Sequence, residues 1–268
     1  MRPFFVCLAL LLASLVPAIA QGPPLNGTPE QLFDAGMNRI SGSPASRDNF
    51  VALDYFRRSA QKGYGPAQVV LGYFYDTAQI VAGDPNQAAD WYRKAAEQGD
   101  PLAQWLLGRL YFMGSGLPRD YSAAQKWLTQ SANQNNPFAA YLLGGVMLER
   151  DYAKAPQWFR IAAEQGLPQG QYRYARALKE GRGVGQDRLA AYAWFLVALE
   201  AGYGTAQNDL GELDGILSRD QIDQAKTKAR RLEDSVTRSV TAHGCTGWDG
   251  EFSETPTPPP PRIQHFCR

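Results

Sequence analysis

The sequence predicts an all-α fold. It reads as a right-handed α-solenoid of about five helix-turn-helix repeats, followed by a C-terminal cap helix and an irregular Pro-rich tail. Three observations predict it. An aspartate suited to helix capping recurs at Asp48, Asp84, Asp120, Asp151 and Asp187, in steps of 36, 36, 31 and 36 residues. An aromatic recurs in the same steps at Tyr55, Trp91, Trp127, Trp158 and Trp194. Glycine keeps two further phases: Gly63, Gly99, Gly166 and Gly202 with Asn135 in register, and Gly36, Gly72, Gly108, Gly144 and Gly211 with Ala175 in register. Helix pairs of this period cannot bury their apolar stripe alone and must stack on copies of themselves.

The stretch from Asp84 to Gly116 shows the unit. Asp84-Pro85 is an N-cap followed by the proline that a first helical turn tolerates. Ala88, Trp91, Ala95 and Ala96 then form a helical stripe. Gly99 ends that helix, because glycine enters the left-handed conformation without a Cβ penalty; Asn135 is the next best choice. Asp100-Pro101 starts the following helix, with Ala103, Leu107, Leu110 and Tyr111 on its buried side and Gly114 and Gly116 at its end. Glycine inside a helix costs about 1 kcal/mol against alanine, so the repeated Gly72 and Gly108 predict a close helix–helix approach. The small Ala95-Ala96 pair and its counterparts (Ser59-Ala60, Ser131-Ala132, Ala162-Ala163) are the expected facing surface. The Trp91-phase aromatic is the expected wedge filler. The short step of 31 places a five-residue deletion in the turn between Gly144 and Asp151.

In chain order, residues 1–20 read as a secretory signal: Arg2, an apolar run from Phe4 to Val16, and Ala18-Ile19-Ala20 as the cleavage site. The run is too short to span a bilayer. Cys7 lies within it, without a lipoprotein-type sequence around it. Arg2 is the one charged residue of that segment, so the remainder carries 26 basic and 26 acidic residues. Zero net charge argues against nucleic acid or anionic lipid as the main partner, and no later stretch predicts stable membrane insertion. Residues 21–27 are a Pro/Gly linker. Thr28-Pro29-Glu30-Gln31 has the form of a capping box and opens the solenoid, residues 28–217. Repeats run about 28–63, 64–99, 100–135, 136–166 and 167–202, with one more helix in 203–217. Asn26-Gly27-Thr28 matches a glycosylation sequon by chance composition. Ser218-Arg219-Asp220-Gln221 is a second capping box. It starts a helix over 218–240 with Ile222, Ala225, Ala229, Leu232 and Val236 on one face, the wet-backed cap that a solenoid needs. Residues 241–268 form the tail, with polyproline II expected at Pro258–Pro261.

The segments WYRKAAEQGDPLAQWLLGRLY, WFRIAAEQG and KEGRGVGQD resemble the Sel-1-like repeat, a relative of the tetratricopeptide repeat, over about Thr28 to Leu217. The resemblance implies an α-solenoid that works as a protein-interaction adaptor. It supplies no catalytic residue. Exported members imply envelope roles such as restraining a sensor kinase or scaffolding polysaccharide export.

The partner surface is expected on one face of the first helix of each repeat, where residues recur at i, i+4, i+7 and i+11. That phase holds Val70 and Tyr73, then Leu102, Leu106, Arg109 and Met113, then Phe138 and Leu142, and turns cationic at Arg173 and Arg176. An apolar stretch beside a cationic one suits a peptide or helix with acidic flanks. The competing reading is that Val70, Leu106 and Leu142 pack between repeats. In the tail, Cys245 and Cys267 are expected to pair as a disulfide in an exported chain. The alternative is a metal site from His243, Cys245, His265 and Cys267, whose spacing departs from ordinary zinc ligation. Ser59-Ala60-Gln61-Lys62 matches the S-x-x-K of penicillin-recognising enzymes, but it occupies a scaffold phase and lacks Ser-Asp-Asn and Lys-Thr-Gly partners. Cysteine-rich relatives called β-lactamases carry a disulfide in each repeat, absent here. Gly181-Arg182-Gly183-Val184-Gly185 reads as an inter-helix turn, since no strand precedes it. The chain is therefore read as a non-enzymatic adaptor without cofactor, exported to the periplasm or secreted, and binding another envelope or secreted protein or peptide. A metal-binding tail or a cell-wall or β-lactam hydrolase are the alternatives.

Overall fold

The computed structural model describes residues 26–41, 48–78 and 80–242. The residues read as signal, and the tail from His243 on with its four candidate ligands, lie outside them; the first two residues assigned to the tail, 241–242, instead continue the cap helix. The described residues form an all-α repeat solenoid. First and second helices alternate: α1 (Pro29–Ser41) with α2 (Asn49–Gln61), α3 (Gly65–Thr77) with α4 (Pro85–Glu97), α5 (Pro101–Met113) with α6 (Tyr121–Ala132), α7 (Pro137–Arg150) with α8 (Ala155–Glu164), and α9 (Pro168–Glu180) with α10 (Arg188–Glu200). Next come α11 (Ala206–Asp214) and α12 (Arg219–Ala242). Each helix packs on its successor as far as α11, first helices α5, α7 and α9 touch in turn, and α12 lies on α10 and reaches α8.

The caps fall where the repeat places them. Asp48, Asp84 and Asp120 each accept two backbone N–H bonds at the start of α2, α4 and α6, and Asp187 accepts one at α10. Gly63, Gly99, Asn135, Gly166 and Gly202 all adopt positive φ. Both capping boxes form: Thr28 with Gln31, and Ser218 with Gln221. The deletion falls in the turn, as expected. The seven residues between α5 and α6 shrink after α7 to Asp151 alone, followed by a 3₁₀ turn over Tyr152–Lys154. Asp151 makes no side-chain cap there.

Ala78 ends α3 at φ 55° and ψ 28°, in the phase where Gly114 and Gly181 end α5 and α9 at φ 72° and 70°. A Cβ in this conformation costs about 1–2 kcal/mol. Ala78→Gly is expected to stabilise the protein by about 0.5–1 kcal/mol after the added unfolded-state freedom is subtracted. Thermal denaturation checks it, and a lower Tm would refute it.

The interior corrects one expectation. The repeated mid-helix glycine does not face the small Ala-Ala pair. A Cβ on Gly36, Gly72, Gly108 or Gly144 would lie 2.5–2.8 Å from Phe56, Tyr92, Leu128 or Phe159. The residue after the conspicuous aromatic fills the space over these glycines: Phe56, Tyr92 and Leu128 are fully buried and Phe159 nearly so, while Trp91, Trp127 and Trp158 are half-buried; Tyr55 and Trp194, first and last of the aromatic series, are buried as expected, at 6% and 5% exposure. The small pair instead meets the next repeat, where a Cβ on Gly170 would lie 2.7 Å from Ala162 Cβ.

A polar ladder also runs along the stack. Buried Gln68, Gln104 and Gln171 donate to the carbonyls of Ala60, Ala96 and Ala163 in the preceding helix. Gln98 and Gln134 then donate to Gln68 Oε1 and Gln104 Oε1 at 2.8 and 2.9 Å. The phase reads Ala140 in the fourth repeat and Ala201 opposite Gln171, so the ladder is interrupted and Gln171 Oε1 has no partner among the described residues.

On α12, Ala225 and Ala229 are buried and Ile222, Leu232 and Val236 pack beside them. Glu233 is bonded to Glu200 at the end of α10. Burial first, then the Glu200 bond and the Glu200 and Asp234 charges, push its carboxyl up to about 7, against Arg230. The folded state thus holds this proton more tightly than the unfolded chain. The associated stability is present below the ordinary carboxylate pKa and lost as pH rises through about 7. Tm is expected to fall between about pH 5 and pH 8, by a small amount because solvent screens the pair. Glu233→Gln should flatten that slope; an unchanged slope would refute the assignment.

Candidate functional site

Burial divides the ten residues expected on the partner face. Val70, Tyr73, Leu106, Phe138 and Leu142 are buried, at 7% exposure or less. They belong to the core and offer no free surface. Helices α3, α5 and α7 pack against both neighbouring repeats, so they are apolar nearly all round; in α3 every residue from Ala67 to Phe74 is buried. Arg109 is also committed, because its guanidinium pairs with Asp76 on the preceding first helix. Leu102 is half-buried, Met113 is 51% exposed and Arg173 is exposed. Arg176 is partly exposed and bonded to Glu180 at 2.9 Å.

Ion pairs lock this face together, which sequence reading missed. The Asp76–Arg109 side chains are only 9% and 15% exposed, and the Tyr92 hydroxyl donates to the same Asp76 oxygen at 3.3 Å. Burial above all, then the Asp76 charge, raises the Tyr92 pKa. Two repeats beyond α5, Lys179 on α9 pairs with Asp209 on α11 and, at 2.8 Å, with Glu212. Tyr172 donates to Asp209 at 3.0 Å. Burial pulls the Lys179 pKa down, but the bonds to Asp209 and Glu212 outweigh it and leave it raised. Asp76 and Lys179 share a repeat phase, as do Arg109 and Glu212, so this is one rung with its charges exchanged. Between the charged rungs, Phe112 lies 3.6 Å from the place a Gly145 Cβ would take. The readable signal was two opposite charges 33 residues apart.

A cleft of about 170 Å³ opens beside this ridge, between the end of α7, the 3₁₀ turn, the start of α8 and α9. Leu148 and Tyr152 supply its apolar side, at 37% and 43% exposure. Arg173, Arg176, Arg182 and Glu180 supply its polar side. The cleft is small beside the roughly 300–1,000 Å³ of small-molecule sites.

The Ser59 hydroxyl is fully buried and donates to the Pro29 carbonyl at 2.6 Å, as Ser131 does to Pro101. Lys62 donates to the Gly27 carbonyl at 2.8 Å. The S-x-x-K match thus ties α2 to the start of α1 and the residues just before it, and Ser131 does the same between α6 and α5. Gly181 and Gly183 form the turn before Asp187, with Gly183 against Ala153 and Pro156. No described helix is long and apolar enough to cross a membrane.

A family model described as Sel1 repeat matches residues 33–64, 65–100, 101–136, 139–167, 168–203 and 204–231. Its last segment takes in the first half of α12. The structure is similar to a protective antigen of uropathogenic Escherichia coli displaying an SLR fold: TM-score 0.68 and 28% identity over 84% of this chain and 51% of that one. The chain thus spans about half that protein's length. It is also similar to a Sel1 repeat protein from Oxalobacter formigenes, with TM-score 0.64 and 23% identity over 78% and 85% of the two chains. Comparison with curated proteins gives no match.

Proposed function

This chain belongs to the Sel1 repeat family, whose members are generally protein–protein interaction modules, and on that premise we propose that it is a non-catalytic adaptor of the cell envelope that binds a partner protein along its first-helix face. The observation that carries this reading is what stays accessible on first helices that are otherwise packed: Met113 and Leu148, with Leu102 half-buried, and, sharing one cleft with Leu148, Tyr152 of the 3₁₀ turn and Arg173. Exposed apolar side chains grouped beside cations mark a binding surface more than a solvated one. The Arg2 and Phe4–Val16 pattern supports export, and a disulfide between Cys245 and Cys267 is proposed to close the tail in that oxidising compartment. A photo-crosslinking residue placed at Met113 in the native host tests the reading. A discrete crosslinked protein, lost with Leu102→Asp at unchanged helicity, is expected. No crosslink at either Met113 or Leu102 would refute it.

A further inference from the structure

We propose that the cleft at the shortened fourth repeat binds an acidic peptide segment of the partner protein, with one apolar side chain set against Leu148 and Tyr152 and its carboxylates on Arg173 and Arg182. This rests on the reading of the first-helix face as an interaction surface, and it names the chemistry recognised there.

The cleft is a product of the deletion. Elsewhere the turn after a first helix folds over the start of the preceding repeat's second helix, as Gly116 does on Pro85 and Gly183 on Pro156. After α7 that turn is lost, and Arg150 reaches Ser122 at the start of α6 instead, at 2.6 Å. The 3₁₀ turn that replaces it brings Tyr152 to the cleft wall. Leu148 and Tyr152 are thereby left exposed, where Phe112, in the Leu148 phase one repeat earlier, packs on Tyr121 at 5.9 Å.

Charge selects the occupant. Glu180 receives both Arg176, at 2.9 Å, and Arg182, at 2.8 Å. Arg173 makes no ion pair among the described residues, so three guanidiniums face one carboxylate. The Arg173 phase is apolar and buried in the three repeats before it (Val70, Leu106, Leu142) and is an exposed Asp34 in the first, so this cation does no packing work that those three do. Guanidinium groups hold carboxylates through paired N–H bonds. With Arg2 removed the chain is neutral, so the local excess is not part of a general basic surface of the kind that binds nucleic acid.

Fluorescence anisotropy on the full exported chain tests this, with a labelled peptide of glutamates around one phenylalanine and a control carrying lysine for glutamate. The acidic peptide is expected to bind, the lysine control not to, and added salt to weaken binding. Arg173→Glu, Arg182→Glu and Leu148→Asp should each weaken it at least about tenfold with far-ultraviolet circular dichroism unchanged. No binding by about 1 mM, or equal binding to wild type and both arginine variants, overturns the proposal. If the peptide fails while the Met113 crosslink persists, the cleft assignment falls and the first-helix face stands. If both fail, the adaptor reading falls with it.

Discussion

Arg109→Ala is expected to destabilise the solenoid by about 3–5 kcal/mol, the loss typical of stranding one partner of a buried ion pair. Asp76 is 9% exposed and would keep, among the described residues, only the Tyr92 hydroxyl at 3.3 Å. That neutral donor does not replace a guanidinium. Removing both charges should hurt less than removing one, because no carboxylate is then left desolvated. The Asp76→Ala/Arg109→Ala double variant is therefore expected to be more stable than Arg109→Ala alone. Urea denaturation of the two single variants and the double variant measures the coupling. A loss below about 1 kcal/mol for Arg109→Ala would show that the pair is solvated.

Phe159→Ala is expected to cost about 3–5 kcal/mol, since the ring is nearly fully buried between α7 and α8. Gly144→Val, its opposite, is expected to cost about 1–3 kcal/mol through overpacking. A Cβ at 144 would stand 2.5 Å from the Phe159 ring, and a rigid ring in a packed core has few places to go. The neighbouring repeat solves the same contact with a smaller side chain, Leu128 over Gly108. Gly144→Ala combined with Phe159→Leu should therefore recover most of what Gly144→Ala loses. Additive losses in that pair would show that the ring and the glycine do not share the space.

Backbone chemistry was the legible part of this chain. Asp84 and Gly99 have local jobs, a side-chain cap and a positive φ, and local jobs leave residue types that can be read in register. Side-chain destinations were less legible. Trp91 and Tyr92 are adjacent, about 100° apart on the helix, and the more conspicuous residue was not the one that fills the core. The better signal was a spacing: a large side chain twenty residues after Gly36, Gly72 and Gly108, and fifteen after Gly144, across the deletion. The partner face was blurred for a related reason. Where a helix packs on both sides, as α5 does, its apolar residues at i, i+4 and i+7 carry no mark that separates interior from surface. Leu106 and Leu102 looked alike, and only one is buried. Charged Arg173, following three apolar residues in the same phase (Val70, Leu106 and Leu142), was the position that announced itself.

The buried side chains of the stack fall into successive groups, one ending near Leu167 and the next running from Ala163 to Ala229. The interruption of the glutamine ladder at Ala140 falls one repeat before that seam. A stack held by nearest-neighbour contacts opens by segments rather than all at once, so amide exchange should separate the two groups into distinct cooperative blocks. The cleft spans their join, with Leu148 on one side and Arg173 on the other. Anything seated there acts as a splint, and its free energy of binding appears as extra protection of both blocks together.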